Sequence, residues 1–463
     1  MPLDAPVPGA LRSPGAILLL SCYELGHQPM GLAFPLAFLE RAGFRPDALD
    51  LAVEPLDPAR VRAARLVAIS VPMHTALRIG VQAAAQVRAL HPAVTVCFHG
   101  LYAVLNRQFL LGAGADLVLG GEAEDALVAV AEALDRGERP APDAGPHLAR
   151  LAFPVPSRGR LPPLHRYAAF ERDGERRVAG VVEASRGCLH GCRHCPIPPV
   201  YGGRFFVVPP EIVLEDVRRQ VAAGARHVTF ADPDFLNGPG HAARIAAALH
   251  AEFPGLSFDF TAKVEHLLEH RALLPRFAEA GCAFVVTAAE SLSDVVLEKL
   301  DKGHTRADLE RALEVAATAG IAVRPSWIPF TPWSTLDDYV ELVDWLVARD
   351  MVDRVEPVQL AIRLLLPPGS ALLGRPDVAP FLRGLDAAAF TYRWEHPDER
   401  MERLYRAVSD AVHWANHVRE NAARTFRKVR EAAYAAAGRR AEAVATHAER
   451  RPVAPRLTEP WFC

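Results

Sequence analysis

The sequence has no long apolar run, no excess of positive charge and too few cysteines for a disulfide framework. No apolar run approaches the ~18 residues that a membrane span needs, and the early run 16–20 is too short for a secretory signal. A formal net charge of −3 argues against a nucleic-acid partner held by bulk positive charge. Seven cysteines in 463 residues do not suit a small disulfide-stapled secreted protein. We therefore expect a cytoplasmic protein without a membrane segment.

The composition is that of a folded α/β protein. Half of the residues are apolar and 23% are charged, and 463 residues allow about three domains. Short apolar runs alternate with amphipathic stretches across residues 16–135. The predicted strands are 16–21, 65–71, 94–98 and 116–119, and the predicted helices are 30–42, 75–90 and 122–134. This pattern predicts a doubly wound, flavodoxin-like domain with a parallel sheet, preceded by a loose N-terminus at 1–15.

A second alternating series follows a proline-rich linker at residues 136–177 and extends over residues 178–377. The predicted strands are 178–184, 227–231, 257–261, 284–287, 322–327 and 358–364, and the predicted helices are 210–223, 240–252, 265–280, 293–300, 306–319 and 336–349. Six βα units predict a (βα)6 partial TIM barrel with its chemistry at the carboxyl ends of the strands. Residues 378–450 have a helical period and predict a C-terminal helical region, and residues 451–463 form a tail.

Three cysteines lie together just after the first predicted barrel strand. Cys188, Cys192 and Cys195 have the spacing C-x3-C-x2-C, with glycines at 187 and 191 for tight bends. Three thiolates on one loop can hold one face of an iron–sulfur cube and leave the fourth iron open to a small molecule. One alternative is a zinc knuckle that adds His190 or His194 as a ligand. The other is a chance clustering of buried cysteines that bind no metal.

This motif resembles the CxxxCxxC motif of the radical SAM superfamily, which lies on the loop after the first strand of a partial barrel. The resemblance implies that the three cysteines, Cys188, Cys192 and Cys195, bind a [4Fe-4S] cluster whose open iron chelates S-adenosylmethionine (SAM). It also implies that one electron from the cluster cleaves SAM to methionine and a 5′-deoxyadenosyl radical, which makes these cysteines catalytic. His194 is a departure, because the family usually has a larger aromatic residue there, although a planar imidazole can stack near the adenine.

Further cofactor contacts are implied at the ends of the next strands. Asp232 and Asp234 follow the second strand, where the family binds the SAM amino group, although either could instead cap the next helix. Lys263 ends the third strand, where a ribose or carboxylate contact is expected and a solvated charge pair is the alternative. Glu290 opens a segment that resembles the strand-four pattern of the family, and we expect it to contact SAM.

The N-terminal domain resembles the cobalamin-binding domain of B12-dependent radical SAM enzymes. Gly121 and Glu122 lie in a G-G-E-A-E turn that is similar to the G-E-G-E turn of those domains. Ser70, His74 and Gly100 lie at or near the ends of predicted strands and would face the corrin. The D-x-H-x-x-G motif is absent, so the resemblance implies cobalamin bound without histidine ligation. The alternative is a domain that serves as a lid or holds no corrin.

The function implied is a radical SAM enzyme, with cobalamin-dependent methyl transfer or rearrangement as its B12-linked form. The substrate would be a small molecule or a peptide, and a flavodoxin or ferredoxin would donate the electron. One alternative is a zinc or iron–sulfur regulatory module without turnover. Another is a radical SAM enzyme acting on RNA, which the slightly acidic charge disfavours.

A narrower resemblance rests on two segments, 23–32 and 459–463. Both are similar to radical SAM proteins called after a C-terminal Cys-Sec-Ala-Glu-Pro or Cys-Cys-Ala-Glu-Pro tail. The hypothesis is that a selenocysteine codon read as a stop ended the chain at Cys463, and the alternative is an ordinary final residue. A termination codon other than UGA after Cys463 would rule the hypothesis out.

Overall fold

The N-terminal domain is built on a five-stranded parallel sheet. The computed structural model describes residues 9–140, 145–442 and 454–459. The strands are β1 (Ile17–Ser21), β2 (Asp47–Asp50), β3 (Leu66–Ser70), β4 (Thr95–His99) and β5 (Leu117–Leu119), in the order β2-β1-β3-β4-β5. The helices are α1 (Met30–Arg41), α2 (Pro58–Ala63), α3 (His74–Leu90), α4 (Leu101–Leu105), α5 (Arg107–Gly112) and α6 (Glu124–Asp135).

Burial explains this arrangement. Every residue of β1 and β3 is buried, and the two faces of the sheet contribute to two separate apolar clusters under the helices. Continuous apolar strands of this kind need cover on both sides, so the doubly wound prediction is confirmed. The sequence pattern did not reveal β2, because Asp47 and Asp50 flank only two apolar residues.

The segment between the two domains packs against the first of them. The backbone of His147 forms a bridge with Gly121 of the first domain. The ring of Phe153 packs edge-on against Phe34, with the ring centroids 5.4 Å apart. These contacts tie the linker to the first domain before the chain enters the second.

The second domain is a curled sheet of seven strands that forms a half-barrel, in the order β13-β12-β11-β10-β7-β6-β16, where β16 is the short strand Arg456–Leu457. The strands of this domain and its cysteine loop are β6 (Ala169–Arg172), β7 (Glu175–Val182), β8 (Ser185–Gly187), β9 (Phe205–Val207), β10 (His227–Phe230), β11 (Ser257–Ala262), β12 (Cys282–Glu290) and β13 (Ala322–Trp327). The helices are α7 (Ile197–Tyr201), α8 (Pro210–Ala222), α9 (Pro239–Glu252), α10 (Val264–Glu269), α11 (Leu274–Glu279), α12 (Asp294–Leu300), α13 (Arg306–Thr318) and α14 (Leu336–Ala348). Strands β7 and β10–β13 are parallel, whereas β6 is antiparallel to β7.

The strand predicted at 358–364 is wrong. Its first part is a 3-10 helix, Pro357–Ala361, and only one bridge, between Phe330 and Arg363, connects the rest to the sheet region. The side-chain carbonyl of Gln359 accepts the backbone N–H of Trp327 at 3.1 Å, so a side chain takes the place of a ladder partner. A short apolar run does not distinguish a strand from a buried turn of this kind.

The C-terminal region contains two long helices, α15 (Glu399–Val418) and α16 (Ala422–Ala436). An unpredicted hairpin, β14 (Leu382–Asp386) and β15 (Thr391–Trp394), precedes them. Strand β16 (Arg456–Leu457) then pairs antiparallel with β6 at the edge of the half-barrel. Cys463 lies outside the described residues, so the selenocysteine hypothesis stays a prediction. Among the described helices, none has the length and apolarity to cross a bilayer.

Candidate functional site

The cysteine loop lies between β8 and α7 at the carboxyl end of the half-barrel. Strand β8 pairs antiparallel with β9, which closes the loop into a compact unit. The carboxylate of Asp232 fixes the start of this unit, because it accepts the Ala184 N–H at 2.9 Å and the Ser185 hydroxyl. Burial of Asp232 raises its pKa to about 7 despite these two hydrogen bonds.

The three thiols of the loop are held near one another in a protected position. Cys188 and Cys192 are buried, Cys195 is half-buried, and all three have free thiols. Burial raises the pKa of Cys195 to about 12 and also raises that of Cys188. The backbone N–H groups of His190 and Ile197 donate to the sulfurs of Cys188 and Cys195 and favour their thiolate forms. Thiols in this setting ionise when a metal centre takes the place of the proton.

The spacing of the thiols favours a cluster over a single ion. Two groups of His, Cys, Asp or Glu among the described residues have all their ligand atoms within 4.8 Å of one another, and neither contains a cysteine. At least one pair of the loop sulfurs is therefore farther apart than 4.8 Å. Zn–S bonds of about 2.3 Å place tetrahedral sulfur ligands roughly 3.8 Å apart. The geometry suits a multi-iron centre better than a zinc knuckle.

A buried ion pair lies beside the thiols. The ammonium of Lys302 is 3.0 Å from the Glu290 carboxylate, and Nε2 of His194 is 3.3 Å from the same oxygen. Burial alone would raise the pKa of Glu290, but Lys302 and His194 outweigh it and hold the pKa at about 2. Burial also opposes the charge on Lys302, yet Glu290 and the Cys192 thiol raise its pKa. A cation thus lies where three thiolates would need one.

The backbone of Glu290 is unusual for a residue with a side chain. Its φ is +62°, and the pairing of β12 with β13 shifts register just before it. A left-handed residue at a bulge is a feature of functional sites, because the surrounding contacts must maintain the strain. The bulge turns the carboxylate of Glu290 toward His194 and Lys302.

The second carboxylate after β10 is part of the loop framework. Oδ1 of Asp234 accepts the Leu236 N–H at 2.9 Å and caps a short 3-10 helix. Its Oδ2 accepts the Lys263 N–H at 3.1 Å and contacts His266 Nδ1 at 2.9 Å. The capping alternative is therefore present in the structure, and SAM contacts by Asp232 and Asp234 stay predictions.

Lys263 lies close to the cysteine loop. Its ammonium donates to Nδ1 of His190 and to Oε2 of Glu265, both at 3.0 Å. The charge pair with Glu265 exists, as the alternative held, and it is only partly exposed. A contact between Lys263 and SAM stays a prediction.

The carboxyl edge of the N-terminal sheet faces the cysteine loop. Ser70 and His99 end adjacent strands in register, and both are buried. Nε2 of His99 is buried without a hydrogen-bond partner, and burial lowers the pKa of this imidazole to about 4. Gly100 follows with φ +110°, and an added Cβ would lie 3.1 Å from the Val71 carbonyl. Helix α4, which begins at residue 101, packs against α7 of the cysteine loop.

His74 lies at the same edge, but the C-terminal region covers it. Its Nε2 is 2.7 Å from the carbonyl oxygen of Ala389 at the tip of the β14–β15 hairpin. Phe390 follows with φ +57° and packs into the core of the N-terminal domain against Phe109. The hairpin tip therefore closes part of this edge.

The G-G-E turn connects the two domains. An added Cβ on Gly121 would lie 2.1 Å from the carbonyl oxygen of His147, and its φ is +72°. Burial raises the pKa of Glu122 to about 7, and its carboxylate contacts Arg186 at 3.4 Å. Arg186 also contacts Glu124 at 2.6 Å, and it lies over the ring of Phe34. The structure thus places Glu122 in an interdomain ion-pair cluster, and its cofactor role stays a prediction.

Three residues of the site were not singled out from the sequence. Lys302 was visible only as part of a K-G-x-T pattern, and Arg186 directly precedes the glycine of the cysteine motif. His266 gave no signal, because one histidine on a predicted amphipathic helix is ordinary. Their roles depend on partners that are distant along the chain.

Comparison with known families gives two matches in the expected order. Residues 182–346 match the radical SAM superfamily, and residues 17–131 match the B12 binding domain. The chain is 28% identical over 211 residues to the tRNA-2-methylthio-N(6)-dimethylallyladenosine synthase of Desulfosudis oleivorans, which covers 44% of each protein. It is 26% identical over 152 residues to the hopanoid C-3 methylase of Methylococcus capsulatus, covering 33% of this chain and 29% of that protein. The matches span less than half the length of these curated relatives.

Solved structures share the overall fold. The cobalamin-dependent S-adenosylmethionine radical enzyme OxsB superposes with a TM-score of 0.66 at 15% identity, covering 86% of this chain and 66% of that one. The radical S-adenosylmethionine methyltransferase TsrM from Kitasatospora setae superposes with a TM-score of 0.59 at 19% identity, covering 77% and 75%. At these identities the likeness establishes the fold. It confirms the predicted order of domains, which is a doubly wound domain, a half-barrel and C-terminal helices.

Proposed function

Because the chain joins a B12-binding domain to a radical SAM domain, we propose that it is a radical SAM enzyme that cleaves S-adenosylmethionine reductively. Cys188, Cys192 and Cys195 would hold the [4Fe-4S] cluster. The observation that carries the proposal is the match of residues 182–346 to the radical SAM superfamily, together with three clustered free thiols at the carboxyl end of the half-barrel. The cluster, when bound, supplies the electron that splits the sulfonium of SAM into methionine and a carbon radical.

The protein groups around the thiols have three tasks. Backbone N–H donors from His190 and Ile197 stabilise negative charge on the sulfurs. The Lys302 ammonium reduces the local excess of negative charge, and Glu290 holds that ammonium in place. Burial of Cys188 and Cys192 keeps water away from their sulfurs, which strengthens these interactions.

The direct test is anaerobic reconstitution with iron and sulfide. We expect about four irons and four sulfides per chain, and 5′-deoxyadenosine when SAM and dithionite are added. Replacing all three loop cysteines by alanine should abolish the iron–sulfur content and the formation of 5′-deoxyadenosine. The control Cys282→Ala removes a buried thiol of β12 and should leave the two readouts intact. A lone zinc ion in the pure protein, or a cluster that survives the triple replacement, would refute the proposal.

The B12-binding domain supports a second component, cobalamin bound at the carboxyl edge of the N-terminal sheet. Nε2 of His99, buried and unpaired, fits a site that accepts a polar partner, and Gly100 follows it at the same edge of the sheet. Ser70 lies in register beside His99. Cobalamin would supply a methyl group for transfer to an unactivated carbon. The contact between α4 and α7 supports this component, because it brings the cysteine loop close to the same edge.

Titration with hydroxocobalamin tests this component separately. We expect one corrin per chain by absorbance and weaker binding in His99→Phe, which fills the edge and removes the unpaired nitrogen. Leu385→Ala, an exposed position on the β14–β15 hairpin, is the control and should bind as the wild type does. Cluster uptake without any corrin binding would leave a radical SAM enzyme whose N-terminal domain has a structural role.

Radical SAM enzymes act on small molecules or macromolecules, and we propose a small molecule or peptide here. The electron donor would be a reduced flavodoxin or ferredoxin, and the free cysteines suit a reducing compartment such as the cytoplasm. Replacing dithionite by each reduced donor protein, with 5′-deoxyadenosine as the readout, tests the donor. Failure of both proteins where dithionite works would contradict it.

A further inference from the structure

A chain of hydrogen bonds reaches into the middle of the cysteine loop. His190 lies between Cys188 and Cys192, and its Nδ1 is 3.0 Å from the Lys263 ammonium. Its Nε2 is 3.1 Å from Nε2 of His266. Nδ1 of His266 is 2.9 Å from Oδ2 of Asp234. We call Lys263, His190, His266 and Asp234 the imidazole chain.

The donors and acceptors of the imidazole chain can be assigned in one consistent way. An ammonium only donates, so Nδ1 of His190 accepts from Lys263, and the proton of the neutral ring lies on Nε2. That Nε2–H donates to Nε2 of His266, whose own proton is then on Nδ1 and donates to the Asp234 carboxylate. Each ring nitrogen has one partner and one role. The hydrogen bonds of the imidazole chain are therefore complete without a metal ion, and the nearby Lys263 ammonium would repel one.

The far end of the imidazole chain is firmly anchored. Asp234 is 1% exposed, and it also accepts the backbone N–H groups of Leu236 and Lys263. The side chain of His266 extends from α10, which begins one residue after Lys263. Two strand ends and one helix therefore hold the ring of His190.

The near end of the imidazole chain lies next to Cys188, the first cysteine of the loop. The backbone N–H of His190 lies beside the sulfur of Cys188. On the other side, the side-chain oxygen of Asn237 accepts the Leu189 N–H at 3.3 Å. Fixing the His190 ring thus fixes the direction of an N–H group aimed at a sulfur. Hydrogen bonds to the sulfurs of an iron–sulfur centre alter its reduction potential.

We propose that His266 is a positioning residue for the iron–sulfur site, acting through His190 on the sulfur of Cys188. This inference rests on the proposed function and adds a determinant of cluster retention and reduction potential. Asp234 and Lys263 hold the two ends of the chain. Residues that orient metal ligands typically change metal affinity about 10–100-fold when they are replaced.

The chain allows a sharp comparison of variants. His266→Phe keeps a planar ring but removes both hydrogen bonds, whereas His266→Gln keeps an acceptor for His190 and a donor for Asp234. His270→Ala is the matched control, because His270 follows α10, with its ring centroid 5.5 Å from that of His266. Each full-length protein is reconstituted anaerobically, and its reduced cluster is examined by electron paramagnetic resonance, by redox titration and by iron loss to a chelator.

We expect His266→Phe to lose iron at least about tenfold faster than the wild type and to show a shifted potential and altered resonance. His266→Gln should recover most of both properties, and His270→Ala should match the wild type. A purely structural defect would lower iron content without shifting the potential of the clusters that remain. Wild-type potential and spectrum in His266→Phe would overturn the proposal.

A second variant covers the case in which His266→Phe does not fold. Lys263→Met removes the donor at the other end of the imidazole chain. We expect it to shift the reduction potential of the cluster as well, with circular dichroism confirming that the variant folds. An unchanged potential there would also overturn the positioning role. A wild-type protein that takes up no cluster would instead overturn the proposed function itself.

Discussion

Lys302 and Glu290 form a buried ion pair whose disruption should be costly. The Lys302 side chain is 3% exposed and the Glu290 side chain 8%, and their charged atoms are 3.0 Å apart. Lys302→Met keeps much of the side-chain volume but leaves the carboxylate with only His194 as a partner. Removing one member of a buried pair typically costs about 3–5 kcal/mol, because the other charge stays buried.

The pKa of Glu290 gives an independent magnitude for the same effect. Its carboxyl group shifts from the ordinary 4.5 to about 2 in the folded protein. At 1.36 kcal/mol per unit, this difference corresponds to about 3 kcal/mol of folding stability. The contribution is present above pH 4.5, the unfolded value, and is lost as the pH falls toward 2. The loss of Lys302 should therefore also weaken the acid dependence of stability in this window.

Urea unfolding of the full-length chain at pH 7, followed by tryptophan fluorescence, measures the effect. We expect Lys302→Met to lower the free energy of unfolding by about 3 kcal/mol, and Lys302→Met with Glu290→Gln to be less destabilised than the sum of the single changes. The control is Lys299→Met, because Lys299 pairs with Asp377 at 2.8 Å near the surface, where about 1 kcal/mol is expected at most. Equal stability of the Lys302 and Lys299 variants would refute this reasoning.

Three further predictions concern the contacts around the site. Arg186→Met removes the cation that pairs with Glu122 and Glu124 in the interdomain ion-pair cluster. Thermal unfolding and protease cleavage at residues 145–168 should therefore both begin at lower temperature, and unchanged cleavage would contradict this. Gly121→Ala should lower the free energy of unfolding, measured in urea, by about 1–3 kcal/mol more than Gly174→Ala. Both glycines have positive φ, but only at Gly121 would the added Cβ meet a neighbouring carbonyl oxygen. Equal losses of stability would disprove the contact. Because the pKa of Asp232 is raised in the folded protein, its contribution to stability should fall as the pH rises from about 4 to about 7. Asp232→Asn should remove this fall from the plot of unfolding free energy against pH. An unaltered plot would count against the raised pKa.

Most elements of the fold were predictable because their signals are local. The apolar runs of β1, β3 and β4 and the amphipathic periods of α3 and α8 fall within one or two residues of the predicted bounds. The failures occurred where local signals were ambiguous. Residues 358–364 are apolar but form a 3-10 turn, and the β14–β15 hairpin lies within a stretch whose composition favoured helix. Tertiary contacts decide such short segments.

The candidate site was predictable to the extent that its chemistry lies in one short loop. The spacing of the three cysteines was visible in the sequence, and so was the position of Glu290 after a strand. The function of Asp234 was less visible, because the same residue type caps a helix, accepts backbone N–H groups and anchors the imidazole chain. Spacing alone does not choose among these uses.

The sequence by itself determined the cysteine triad and the alternation that places it at the carboxyl end of a strand, since both are set by neighbours within a few residues. Only the tertiary structure decided that Lys302 meets Glu290, that His266 meets His190 and that Arg186 joins the two domains. These contacts connect residues 12, 76 and 64 positions apart. Their formation depends on how strands and helices pack, because burial makes charged and polar groups pair with whatever partner the fold brings within reach.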